Sequence, residues 1–285
     1  MVKTPDFGKT AVDYRKYRQG FPEQFFTRLI NAGIGLPNQK VLDLGTGTGT
    51  VARGFALQGC EVTAIDPSIE LIEQAKVIDS SCNVTVNYFV GTAEDTKQAD
   101  NQFDIVVAGQ AWHWFKHDQA IDEVKRVLKP DGKLIIAHYD WIPVKNSVPA
   151  LSEAIILKYN PAWKMSGGNG FYPQWVTQLV EAGFETVETY SFDVVAEYTH
   201  EAWRGRIRAS AGVAASLSEE DVAKFDAEHS EALKIEFPDD PLRILHRCFT
   251  VTAKLPTLFK HNSITDSESG SENNMESQIN LEMKQ

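Results

Sequence analysis

Short runs of β-branched or apolar residues alternate with stretches of helical spacing through the first half of the chain, and that alternation limits the folds open to it. The runs are KVLDL (40–44), EVTAID (61–66), VTVNYFV (84–90), FDIVVAG (103–109) and KLIIAHY (133–139), and helical patterns fall at 49–58, 68–79 and 117–128. Strands separated by helices pair in parallel through crossover connections, so an α/β fold with a mostly parallel sheet is predicted. The third helix should stop at Pro130, Asp131 and Gly132, because such residues set backbone angles that a helix cannot continue through.

Beyond residue 140 the rhythm changes. Residues 141–172 are broken by prolines and the cluster GGNG; PQWVTQLVEAG then reads as a helix and FETVETYSFDVV as a strand. Residues 199–237 have helical spacing, and RILHRCFTVTAKL (243–255) reads as a closing strand. Two late strands around a helical segment predict an antiparallel hairpin with a cap inserted in its connection. The chain of 285 residues, 42% hydrophobic, is long enough to bury the core such a domain needs. The expected divisions are a leader (1–35), a core (36–140), a second half with its cap at about 199–240 (141–260) and a tail (261–285).

The net charge of −11 owes part to that tail, where five acids face only Lys284, leaving −7 on the body. An acidic body argues against a surface that tracks phosphates, so no nucleic-acid partner is expected. The tail lacks aromatics and is rich in Ser, Asn and Glu; too apolar-poor to offset ordering entropy, it is expected to be disordered rather than a docked helix. Cys60, Cys82 and Cys248 are odd in number and widely spaced, suggesting neither a disulfide framework nor a metal site. No apolar run has the length of a membrane span, and MVKTPDFGKT lacks the marks of a signal peptide. A cytoplasmic monomer or homodimer without a membrane partner is the expectation.

The first strand runs into VLDLGTGTG (41–49). A dinucleotide fingerprint, GxGxxG, would place its third glycine at residue 50, which is Thr50; the spacing here is GxGxG. Glycines at 45 and 47 let a ligand approach the backbone, and amides opening the next helix can hold an anion. Asp66, at the carboxyl end of its strand, can accept from two vicinal hydroxyls. Asp43 is either a loop-ordering acid or a ligand-organising one.

This loop with Asp43, followed by Asp66, GTAED (91–95), FDIVVAGQAWHWF (103–115) and VLKPDGKLIIAHY, resembles the ordered motifs of the class I S-adenosylmethionine-dependent methyltransferases, over roughly residues 10–140. The small-molecule enzymes similar to those acting on trans-aconitate and quinone precursors are closest in pattern, and DYRKYRQGFP (13–22) looks like their leader. The resemblance implies a Rossmann-like, seven-stranded, mostly parallel sheet with an antiparallel last strand and a helical cap. It implies S-adenosylmethionine as cofactor, leaving as S-adenosylhomocysteine, held by Asp43, Gly45, Thr46, Gly47, Gly49, Asp66, Pro67, Thr92, Ala93, Glu94 and Gln110. An amino-methylating [DN]PP[YF] motif is absent, since that position reads GQAWHW.

The acceptor is expected to be a small molecule. Methyl transfer is an in-line displacement in which positioning and a dry pocket supply much of the rate. His113, in the loop after the fourth strand, is a candidate base, or it lines the pocket or merely caps the next helix or bonds a neighbour; Tyr14 and Tyr17 of the leader are other catalytic candidates. Arg18, Trp112 and Trp114 could line the acceptor's pocket, or Trp112 and Trp114 could simply pack. Arg204 and Arg208, one turn apart, could grip an anionic acceptor or form a solvated face. O-methylation of a carboxylate or hydroxyl is favoured over C- or N-methylation of an aromatic or amine. A cofactor-binding protein without catalysis is the rival reading.

Overall fold

The computed structural model describes residues 16, 17 and 20–257; Tyr14, Arg18 and the 261–285 tail lie outside the described residues. Seven strands, β1 (Lys40–Leu44), β2 (Glu61–Asp66), β3 (Asn87–Val90), β4 (Phe103–Gly109), β5 (Leu128–Trp141), β6 (Glu185–Tyr198) and β7 (Leu242–Lys254), form one sheet in the order β3-β2-β1-β4-β5-β7-β6. The first five pair in parallel, whereas β7 runs antiparallel to both β5 and β6. The predicted topology, including the antiparallel last strand, is the one found. Strand order reverses at β1, between β2 and β4, and in open parallel sheets ligands bind where such a reversal opens a crevice.

Helices cover both faces. On one side α1 (Glu23–Asn31) and α2 (Thr50–Leu57) bury Phe25, Leu29 and Phe55 against Val41, Ala64 and Val107. On the other, α4 (His117–Val127) and α6 (Pro173–Glu181) bury Val124, Trp175 and Leu179 against Leu42, Val106 and Ile136. Central strands covered on both faces need apolar residues at successive positions, which is why Val41–Leu44 and Val62–Asp66 are buried without alternation. Helix α3 (Ile69–Cys82) starts at Ser68, whose side chain accepts from Leu71 N, and ends at Asn83 in the left-handed conformation.

A third core lies beyond the sheet's edge. Helices α5 (Val148–Tyr159), α7 (His200–Arg208) and α8 (Glu219–Glu236) pack Ile156, Trp203, Phe225 and Leu233 against Tyr198 and Ile244 of the long β6–β7 hairpin. Both α7 and α8 fall in the connection between those strands. Helix α5 lies in the stretch whose prolines had suggested irregular chain. Ser147 caps it, accepting from Ala150 N, and Pro149 sits in the first turn, where a missing N–H costs nothing. Strand β5 begins earlier than expected, because Leu128 already pairs with Phe103 before the register jumps to Ile105 and Lys133. Pro130, Asp131 and Gly132 therefore form an irregularity inside the ladder rather than a turn before it.

Candidate active site

Asp43 sits at the switch point, next to Ala64 on one side and Val107 on the other. Its Oδ2 accepts from Thr46 Oγ1 at 2.7 Å and from Ala52 N at 3.1 Å, tying the glycine loop to the strand that feeds it. Its Oδ1 is buried with no partner among the described residues. Burial pushes the Asp43 carboxyl up to about 7, and the neighbouring Asp66 adds to this while the two hydrogen bonds oppose it.

Asp66 accepts from Gly47 N at 2.8 Å through Oδ2 and from Ser68 N at 2.9 Å through Oδ1. A carboxylate offers about four acceptor directions, so each oxygen keeps one for a ligand hydroxyl. Burial raises the Asp66 carboxyl, against the two amides that lower it. Gly45 and Gly49 both have positive φ, at 66° and 75°. A Cβ on Gly45 would come within 2.6 Å of the Ala111 methyl, and one on Gly49 would strike the Tyr88 hydroxyl and press on Ala75. At these two positions glycine is required by backbone conformation and by packing on the loop after β4 and on α3.

The remaining residues expected around the cofactor rim the same edge. Pro67 is exposed directly after Asp66, Ala93 is buried, and Thr92 bridges to Asp95. Glu94 accepts from Lys116 N at 2.8 Å; although burial raises its carboxyl, this and other hydrogen bonds hold it below its usual range. Gln110, at φ 57°, donates its backbone N–H to Ala137 O at 2.8 Å and its side-chain amide to Tyr139 O. Phe21 stands against Gly109 and 6.1 Å from the Tyr139 ring, and Gly20 approaches Thr50. The end of the leader thus crosses the mouth of the glycine loop.

Beside this edge a cavity opens beneath the cap, lined by Gln110, His113 and Trp114 from the loop after β4, His138 and Asp140 from the end of β5, and Arg206 from α7. A polar chain runs along its floor. Tyr172 Oη donates to Asp140 Oδ2 at 2.7 Å, His138 Nδ1 lies 3.4 Å from the same oxygen, and His138 Nε2 lies 3.3 Å from His113 Nδ1. Burial alone would raise Asp140, but the charge and hydrogen bond of His138, the Tyr172 hydroxyl and the charge of His113 more than offset it, so its carboxyl is held below the ordinary range. An ionised Asp140 selects the tautomer of His138 with its proton on Nδ1. When His138 is protonated its Nε2–H donates to His113 Nδ1; with both imidazoles neutral, His138 Nε2 accepts from His113 Nδ1–H and the lone pair of His113 lies on Nε2. The arrangement can take a proton at that atom.

Several expected site residues lie elsewhere. Trp112 is wholly buried and stacked on His117, with its indole N–H given to Gln178 Oε1; it is a core residue, whereas Trp114 lines the cavity. Arg204 and Arg208 turn away from the cavity and both grip Asp226 of α8, with Glu201 as a second partner. Helical periodicity explains this, since Arg206 between them projects from the opposite side. Arg206 is 7% exposed, lines the cavity, and lies 4.8 Å over the Trp141 ring. Tyr17 packs against Gly205 and donates its hydroxyl to Glu201 Oε1 at 3.1 Å, so it docks the leader on the cap rather than reaching the cavity. His138 and Asp140 were missed, although AHYDW at the end of β5 puts them two apart and hence on one face of a strand. Tyr172 and Arg206 carried no comparable signal.

Among the described residues no group of His, Cys, Asp and Glu is placed to hold a metal, and no helix is long and apolar enough to cross a membrane.

Residues 42–136 match the family model described as a methyltransferase domain. An uncharacterized methyltransferase of Mycobacterium tuberculosis is 37% identical over 128 residues, covering 45% of this chain and 49% of that protein. The chain thus spans about half the length of the mycobacterial relatives it matches. A ubiquinone biosynthesis O-methyltransferase of Xanthomonas oryzae pv. oryzae is 27% identical over 183 residues, covering 64% of this chain and 74% of that one. Among solved structures, a Haemonchus contortus phosphoethanolamine N-methyltransferase in complex with phosphomonomethylethanolamine and S-adenosylhomocysteine superposes with a TM-score of 0.54 at 21% identity, covering 90% of this chain and 61% of that one. Residues 42–136 thus carry a match to a methyltransferase domain, and the strand order and the glycine loop built on Asp43 and Asp66 are similar to those of the class I S-adenosylmethionine-dependent methyltransferases.

Proposed function

We propose that the protein transfers a methyl group from S-adenosylmethionine to an oxygen of a small-molecule acceptor, with His113 as general base. The observation that carries this reading is that one segment serves both sites. Ala111 and Phe115 pack on Gly45 of the glycine loop, while Gln110, His113 and Trp114 line the cavity. A base and an acceptor are thereby held next to the loop that would carry the methyl donor, as in-line displacement requires.

The residues present suit that donor. Asp66 retains acceptor capacity for vicinal ribose hydroxyls, and the unpartnered Asp43 Oδ1 offers a buried acceptor to the cationic portion of the ligand. The Haemonchus enzyme's complex with S-adenosylhomocysteine supports the same assignment by analogy. Thr50 in place of a third glycine argues against a dinucleotide. When bound, S-adenosylmethionine supplies an electrophilic methyl carbon: the acceptor oxygen's lone pair forms the new bond, the carbon–sulfur pair stays on sulfur, and the acceptor proton goes to the base. His113 Nε2 takes that proton, with Asp140 stabilising the resulting positive charge through His138. The leader, docked through Tyr17 on the cap and through Phe21 on the sheet edge, screens the site from water.

The 36–140 segment is read as the cofactor-binding core and about 199–240 as the cap that closes over a small, non-nucleic-acid acceptor in the cytoplasm. The test is incubation with S-adenosylmethionine carrying a carbon-13 methyl and a panel of hydroxyl, carboxyl and amine acceptors. A labelled methyl found on oxygen by NMR, with S-adenosylhomocysteine formed in step, is the expected result. Labelled methyl on nitrogen or carbon would replace O-methylation, and a protein that binds S-adenosylhomocysteine yet methylates nothing would be a sensor.

A further inference from the structure

We infer that Arg53, fixed by Asp79 and Tyr88, is a positioning residue for the cofactor: it sets the turn of the glycine loop that would receive the carboxylate at the amino-acid end of S-adenosylmethionine. The inference rests on the cofactor reading above and adds residues that act on the ligand only through the loop.

Three successive residues of the loop are tied down, each to a different part of the fold. Thr46 is held by Asp43 of β1 and Gly47 by Asp66 of β2, the two carboxylates at the cofactor edge. Thr48 is held by α2: its carbonyl accepts from Arg53 Nη2 at 3.0 Å. The same nitrogen reaches Ala75 O of α3 at 3.3 Å, and Arg53 Nε donates to Asp79 Oδ1 at 2.7 Å. Asp79 Oδ2 accepts in turn from Tyr88 Oη of β3 at 2.8 Å. One network thus joins the loop to α2, α3 and β3.

The third glycine of the GxGxG pattern is used by this network. A Cβ on Gly49 would strike the Tyr88 hydroxyl and lie 3.3 Å from Arg53 Nη2, and the residue caps α2 at φ 75°. What glycine admits at this position is the Arg53 and Tyr88 side chains. Thr48 and Gly49 lead directly into α2, so the grip on the Thr48 carbonyl aims the amides that open the helix. Those amides are the ones that can hold an anion.

Stability alone does not account for the network. Arg53, Asp79 and Thr48 are all buried, and a buried ion pair can be replaced by apolar residues of similar volume at little cost in stability or with a gain. Its use lies in geometry. A planar guanidinium satisfies Thr48, Ala75 and Asp79 together only when the loop, α2 and α3 keep one arrangement. The amino-acid end of the cofactor is joined to its sulfur, so a loop that turned differently would displace the methyl carbon from the line of attack.

The test replaces the whole network, with Arg53→Met, Asp79→Leu and Tyr88→Phe combined so that no charge is left buried without its partner. Calorimetry on the full chain uses S-adenosylhomocysteine, which has the amino-acid end, and 5′-methylthioadenosine, which lacks it. The melting temperature should stay within a few degrees of wild type, and affinity for S-adenosylhomocysteine should fall about tenfold or more, as for weakened hydrogen bonds to a charged group. Affinity for 5′-methylthioadenosine should not change. A merely structural role would weaken both ligands alike, and that result, or an unchanged affinity for S-adenosylhomocysteine, overturns the assignment. Should the combined variant fail to fold, Tyr88→Phe, which removes one hydroxyl from Asp79, carries the same comparison with a loss of about threefold for S-adenosylhomocysteine alone. Failure of S-adenosylhomocysteine to bind the wild-type chain would instead overturn the cofactor reading, and the positioning role with it.

Discussion

The glycine-loop edge and the acceptor cavity share one edge of the sheet, but they are assembled in opposite ways. The loop is local: Thr46, Ala52 and Gly47 reach their carboxylate partners Asp43 and Asp66 across at most 19 residues of chain. The cavity draws on the end of β4, the end of β5, α5, the 163–172 segment and α7, spread from Gln110 to Ala211. A locally closed site is fixed once β1 and β2 pair. A site made of distant segments depends on a separate core, the Trp203, Phe225 and Leu233 cluster that holds the cap against the β6–β7 hairpin. Cofactor binding can therefore stay constant while the acceptor changes with the cap.

If the two regions are separable, lesions in one should spare the other. The largest effect is expected from His113→Ala, which should lower turnover by about 10²- to 10⁴-fold and remove an ionisation near neutrality from the pH–rate profile. S-adenosylhomocysteine affinity, measured by calorimetry, should not change. A matching loss of that affinity would break the separation. Asp66→Ala should do the reverse, weakening S-adenosylhomocysteine by about 10- to 100-fold, the range for losing hydrogen bonds to a charged group.

Asp43 offers a pH-dependent test. Its carboxyl, raised by burial to about 7, stays protonated in the folded chain at pH values where the unfolded chain has already ionised it. Folding thus holds a proton between roughly pH 4 and 7, so the stability linked to Asp43 is complete below that window, falls as pH rises through it, and is lost above it. Asp43→Asn removes the titration. The melting temperature of the variant relative to wild type should rise by roughly ten degrees between pH 4 and pH 8, equivalent to about 4 kcal/mol. A constant difference would show Asp43 to be ionised throughout. The smallest effect belongs to Tyr172→Phe, which removes one hydrogen bond worth about 1 kcal/mol from Asp140. A roughly fivefold fall in turnover, with unchanged S-adenosylhomocysteine binding, is expected.

The same contrast decides what could be read from sequence. The strands, the glycine loop and the places of Asp43 and Asp66 on β1 and β2 follow from periodicity and spacing within one stretch of chain, whereas the seven-stranded topology was implied by the family resemblance. The arginine turn did not yield so simply. Counting by four joined Arg204 to Arg208, but which face of α7 meets the cavity is set by Trp203 and Ile207 packing into the cap core, and that points Arg206 inward. Trp112 and Trp114 are likewise two residues apart in a single turn, one in the core and one on the cavity wall. Partner choice such as Arg204 and Arg208 with Asp226 depends on α8, whose docking no local pattern encodes.

The most direct measurement of the central claim is a paired calorimetric titration of the full chain with S-adenosylhomocysteine and with NAD. The glycine loop with Thr50 at its end and Asp66 beside it predicts saturable one-to-one binding of S-adenosylhomocysteine, reduced in Asp66→Ala, and no detectable binding of NAD. Binding of NAD with none of S-adenosylhomocysteine would contradict it.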